Sequence, residues 1–142
     1  MRRFAVALAF VVALAPHSRA HAQNVNAFVA NVASAWSRGD ANAIAAFADQ
    51  QGIALEVEGT HVGSISPRQA AAVLRRVFED RETVRATAGA VKRLSGNDKR
   101  AYAEIVWERR ARGTTQPERI NVFIALAREG DVWRITEIRL IP

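Results

Sequence analysis

The sequence predicts an α+β domain in which three helices of the N-terminal half pack on the concave face of a curved, mainly antiparallel sheet of about six strands. Three observations predict it. From Lys99 to Ile141, apolar and polar residues alternate as they do along half-buried strands. Arg100 to Arg110 sets Ala101, Ala103, Ile105 and Trp107 against Tyr102, Glu104, Val106 and Glu108. Arg119 to Arg128 sets Ile120, Val122, Ile124 and Leu126 against Asn121, Phe123, Ala125 and Ala127, and Val132 to Ile141 closes the run. The second observation is turn chemistry at Gly113-Thr114-Thr115-Gln116-Pro117 and at Glu129-Gly130-Asp131, which cuts the run into separate strands. The third is helical spacing of apolar residues upstream, which supplies the layer that covers such a sheet.

Residues 1–22 stand apart from this domain. Arg2 and Arg3 make a basic start, Phe4 to Ala15 is unbroken apolar sequence ended by Pro16, and Ala20-His21-Ala22 offers the small-x-small pattern of a cleavage site. The apolar run of 12 residues is short of the roughly 20 that a membrane span needs. The expectation is a signal peptide followed by a single domain over 23–142, exported to the periplasm or secreted, with no membrane association after cleavage.

The domain elements follow in order. Asn24 or Asn26 caps a first helix whose stripe is Val25, Phe28, Val29, Val32 and Trp36. Gly39 stops it, and Asp40 caps a second helix over Ala41 to Ala48 with Ile44 and Phe47 on its apolar face. Ile53, Leu55 and Val57 alternate with Ala54, Glu56 and Glu58 as a short strand, and Gly59-Thr60 turns it into another from His61 to Ile65. Ser66-Pro67-Arg68-Gln69 combines a cap, an early proline and a capping-box glutamine. Ala70, Val73, Leu74, Val77 and Phe78 are the buried stripe of the third helix, and Thr83 to Leu94 returns to extended chain.

Trp36-Ser37-Arg38-Gly39-Asp40, Ser66-Pro67-Arg68-Gln69-Ala70, Val73-Leu74-Arg75-Arg76-Val77-Phe78 and Gly130-Asp131-Val132-Trp133-Arg134-Ile135, taken with this element order, resemble the nuclear transport factor 2-like superfamily. The likeness covers nearly all of 23–142 and is greatest to small exported members of unknown function. It implies a cone-shaped, cystatin-like fold with a tapering cavity between sheet and helices. It implies no single activity, because that superfamily hosts isomerases, dehydratases, carriers and interaction modules. Pairing through the sheet is common in it, so the resemblance also implies a homodimer.

Composition removes several classes of function. Cysteine is absent, which excludes disulfides, a lipid-modified export junction and cysteine-type structural zinc. The formal charge of +6 falls to +3 once Arg2, Arg3 and Arg19 leave with the signal, too mild a balance to argue for nucleic acid. Zincin, nucleophile-elbow, P-loop and dinucleotide fingerprints are absent, and no cofactor or metal is expected. Arg38-Gly39-Asp40 spells an adhesion tripeptide, but its glycine and aspartate are explained as helix stop and helix cap. Asp40-Ala41-Asn42 starts like a calcium loop and fails where Ala45 stands in place of glycine.

Candidate site residues are therefore few. Trp36 and Trp107 are large aromatics able to line a pocket for a small apolar molecule, and His61, the one histidine outside the signal, could sit at the pocket mouth. An isomerase- or dehydratase-like enzyme would need an acid or base in the cone, for which Asp40 or His61 are the candidates. Arg109, Arg110, Arg112 and Arg119 gather near one hairpin, where they could hold an anion or simply charge a solvated strand edge. The edge is the expected role. The strand Asn121 to Ala127 is apolar on both faces, which a single helical layer cannot cover. Tyr102 and Phe123 are accordingly expected on a dimer face. The function expected is a non-catalytic exported binding or interaction module. If the cleavage reading is right, N-terminal sequencing of the exported protein begins at Gln23; a chain that retains Met1 after export contradicts it.

Overall fold

A computed structural model describes residues 24–142, so the signal-peptide reading falls outside the described residues. The described elements are α1 (Val25–Ser37), α2 (Ala41–Ala46), β1 (Ile53–Val57), β2 (Thr60–Ile65), α3 (Pro67–Asp80), β3 (Arg81–Leu94), β4 (Asn97–Ala111), β5 (Glu118–Glu129) and β6 (Val132–Ile141). The strands form one six-stranded sheet in the order β2-β1-β6-β5-β4-β3. Every neighbouring pair is antiparallel except β1 with β6.

Local chemistry explains where the helices begin and end. The Asn24 side chain accepts the Asn26 N–H at 2.8 Å and opens α1. Gly39 takes φ +61° just beyond its end, a conformation that favours a residue without a Cβ. Asp40 then accepts the Ala43 N–H at 2.9 Å. Ser66 and Gln69 form a reciprocal capping box at α3, with Pro67 in the first turn. The far end of α3 is held from outside the helix: the Arg112 guanidinium donates to the carbonyls of Glu79 and Phe78. A cation there also suits the negative end of the helix dipole.

α2 ends two residues earlier than its apolar pattern suggests. Ala48 leaves the helix to bridge Ile135 of β6, where Ile135 N–H donates to Phe47 O and Asp49 N–H donates to Ile135 O, both at 2.8 Å. Backbone pairing with the sheet outweighs one further helical turn. The β1–β2 turn lies one residue earlier than expected. It is the two-residue loop Glu58-Gly59, with φ +51° and +77°, the left-handed pair that matches the twist of a hairpin.

The core lies between the helices and the concave sheet face. Val25, Phe28, Val29, Val32 and Trp36 of α1 and Leu74 and Phe78 of α3 meet Ile105 and Trp107 of β4, Val122, Ile124 and Leu126 of β5, and Ile135 and Ile138 of β6. At its wide end Trp36, Phe78 and Trp107 contact one another edge to face, with ring centroids 5.4–5.6 Å apart. Ser37 fastens the end of α1 to β3, its hydroxyl donating to Ala86 O at 3.0 Å and accepting Ala86 N–H at 3.2 Å. This anchor sits beside an irregularity in the β3–β4 register between Thr83 and Arg85.

The difference between core and cap is measurable. Leu74→Ala is expected to cost about 2–5 kcal/mol through the cavity it leaves, and Ser66→Ala about 1 kcal/mol through the lost cap. Urea unfolding of the two variants checks the order.

Candidate functional site

Two surfaces stand out once the core is accounted for: the outer face of β4–β6, and the mouth of the cone where α3 meets the ends of β3 and β4. The outer face is set by strand parity. With Ala101, Ala103, Ile105 and Trp107 turned inward, Tyr102 points out and is 53% exposed. On β5, Phe123 stands opposite Glu104 in register and is 39% exposed. Tyr102, Phe123, Ala125 and Ile141 border a shallow depression of about 240 Å³, with Glu137 and Arg139 at its rim.

Among the sequence-predicted residues, Trp36 and Trp107 are fully buried and belong to the aromatic core, so neither indole presents a surface to a ligand. The Trp107 N–H donates to Thr83 Oγ1 at 3.0 Å. The Trp36 N–H has no acceptor among the described residues, within its cluster of edge-to-face rings. His61 is exposed on β2, opposite Glu56 in register, and lies apart from both tryptophans. The structure therefore does not bring Trp36, Trp107 and His61 into one pocket. Asp40 is engaged as the α2 cap, and Glu56 accepts from Arg139 at 2.9 Å.

The arginine cluster corrects the sequence reading. Arg109 is not part of a solvated edge: it continues the inward parity of Ala101, Ala103, Ile105 and Trp107, and it is only 6% exposed. Its Nε donates to Glu118 Oε1 at 2.7 Å, and its guanidinium carbon lies 5.0 Å from the Trp107 ring centroid. Arg81 Nε stands 3.5 Å from the same Glu118 oxygen. The alternation contained this signal, because 109 has the parity of 105 and 107. Charge alone had suggested the opposite.

The neighbouring arginines pair across strands. Glu108 sits in register between Arg85 and Arg119 and accepts from both at 2.8 Å. Arg110 binds Glu82 through two nitrogens, at 3.0 and 2.8 Å. The hydrogen bond from Arg110, followed by the Arg110 and Arg112 charges, holds the Glu82 carboxyl below its ordinary value despite some desolvation. Hydrogen bonds from Arg119 and then Arg85 do the same for Glu108. Glu82 in turn raises Arg110. These guanidinia are engaged within the protein.

No protein-family model and no functionally curated protein matches the sequence. Solved structures do resemble it. A DUF4783 family protein from Bacteroides uniformis ATCC 8492 superposes with a TM-score of 0.65 at 13% identity, over 83% of this chain and 96% of that one. A ketosteroid isomerase-like protein from Erwinia carotovora atroseptica SCRI1043 gives 0.66 at 18% identity, over 82% and 91%. A domain of unknown function with a cystatin-like fold from Nostoc punctiforme PCC 73102 gives 0.62 at 19% identity, over 81% and 72%. The chain has the cone-shaped cystatin-like fold of nuclear transport factor 2-like proteins. Identities this low establish that fold and no activity.

The lowered glutamates set an acid limb of stability. A carboxyl whose folded pKa lies below its unfolded value stabilises the fold above that unfolded value, and the contribution is lost as pH falls through the folded value. The urea midpoint is therefore expected to fall as pH drops below the ordinary glutamate value of 4.5. The fall should be shallower in the Glu82→Gln, Glu108→Gln double variant, as urea titrations at stepped pH would show.

Proposed function

We propose that the protein is an exported, non-catalytic interaction module that acts as a homodimer, two copies meeting about a two-fold axis through the outer face of β4–β6. The observation that carries this reading is the apolar patch of Tyr102, Phe123 and Ile141, all more than a third exposed, around the depression at Ala125. In strands otherwise laced with ion pairs, such a patch marks a contact surface. Its rim carries both charge signs, Arg139 being paired within the chain to Glu56 and Glu137, so a second copy meets no unbalanced charge there. A two-fold interface requires this self-complementarity.

The non-catalytic part of the reading is supported by the candidate acids and bases. Asp40 is committed to capping α2, and His61 is exposed on a sheet edge away from the aromatic core. Two of the similar folds are themselves of unknown function or unassigned family, in keeping with a module not defined by a reaction.

Light scattering at micromolar concentration should give twice the mass of one chain. Phe123→Asp, which puts a charge in the centre of the patch, should halve that mass without changing the far-UV circular dichroism. A wild-type chain that stays monomeric across the micromolar range overturns the proposal.

A further inference from the structure

We infer that the crevice between α3 and the mouth of the cone binds a small monocarboxylate with a compact apolar body, gripped by the guanidinium of Arg109. This site is separate from the outer sheet face and does not depend on dimerisation. The crevice measures about 200 Å³. Its floor is apolar, formed by Val57 at the end of β1 and by Val73 and Val77 on α3. Arg109 closes it from the sheet side, and Arg81 and Arg76 flank it.

The key observation is the hydrogen-bonding of Arg109. Its side chain is only 7% exposed. A guanidinium has five N–H donors in a planar fork. Only Nε is used, by Glu118 at 2.7 Å, while one face is covered by the Trp107 ring. Its two terminal amino groups have no protein acceptor among the described residues, and Arg109 is part of the crevice wall. These terminal nitrogens are not sealed from solvent, so at the crevice wall they offer donors that an acceptor entering from outside can take. Arg81 sharpens the point, because its buried Nε also lacks a hydrogen bond and shares Glu118 with Arg109. Two guanidinia thus lean on a single carboxylate that is itself half exposed.

Fork geometry and shape select the ligand. The three arginines of the crevice meet Glu58 and Asp80 on its wall and Glu118 behind it, so the site carries no net charge. One carboxylate matches the fork geometry of the terminal Arg109 nitrogens through two parallel N–H···O bonds. A dianion such as phosphate would bring a second negative charge beside Glu58 and Asp80 and leave the valine floor wet. The crevice lies below the roughly 300–1,000 Å³ range of drug-sized pockets, which restricts the body to one ring or a short branched chain.

Benzoate is a suitable probe, titrated into the isotope-labelled protein and followed by amide chemical shifts. Saturable shifts confined to 73–81 and 107–111 are expected, with benzyl alcohol and inorganic phosphate producing none. Arg109→Lys keeps the charge, loses the fork and should weaken benzoate at least about tenfold, the worth of one charge-assisted hydrogen bond. Should Arg109→Lys fail to fold, Val73→Trp fills the crevice from the helix side without touching Arg109, and it should abolish the shifts. The inference is overturned if benzoate gives no saturable shift, if benzyl alcohol or phosphate binds as well as benzoate, or if Val73→Trp leaves binding unchanged.

Discussion

The fold depends on one contact surface: the inward stripe of β4 and β5 against α1, completed at the wide end by Trp36, Phe78 and Trp107. These three rings come from α1, α3 and β4. Their edge-to-face arrangement fixes both helices relative to the sheet at once, because none of the rings can shift without losing two contacts. The arrangement also fills what would otherwise be a hollow. In this chain the cone tapers to a packed interior at the aromatic cluster, and the surfaces left for recognition lie outside it, on the convex sheet and at the mouth.

Much of this was legible in the sequence because the strands are long and strictly alternating. Parity along Arg100–Arg110 placed Ile105 and Trp107 in the core and Tyr102 outside it, and the structure agrees. The capping box at Ser66 and Gln69 was readable for a similar reason, since it is a local motif with its own hydrogen bonds. What escaped was non-local. The parallel pairing of β1 with β6 joins segments some 80 residues apart, as Leu55 facing Ile138 illustrates, and no periodicity encodes it. The early end of α2 has the same origin, because the competing partner of Ala48 is Ile135.

Arg109 is the instructive miss. Composition favours solvent for any arginine, and three more lie nearby, so charge suggested a wet edge. Strand parity suggested the core, and parity prevailed. The side chain is tolerated there because Glu118 takes one donor and Trp107 covers one face. Its neighbours Arg110, Arg112 and Arg119 end on carboxylates or helix carbonyls instead. Residues of one type, close in sequence, therefore do three different jobs: closing a crevice, capping a helix and pairing across strands.

The position of β6 has a consequence for how the chain is made. β6, later in sequence than the other described strands, lies near the middle of the sheet, between β1 and β5. Until residues 132–141 emerge, the β1–β2 hairpin has no neighbour, and the inner edge of β5 stands open. Closure of the sheet thus waits for residues 132–141, and a growing polypeptide that lacks them holds two separate strand groups with nothing between them.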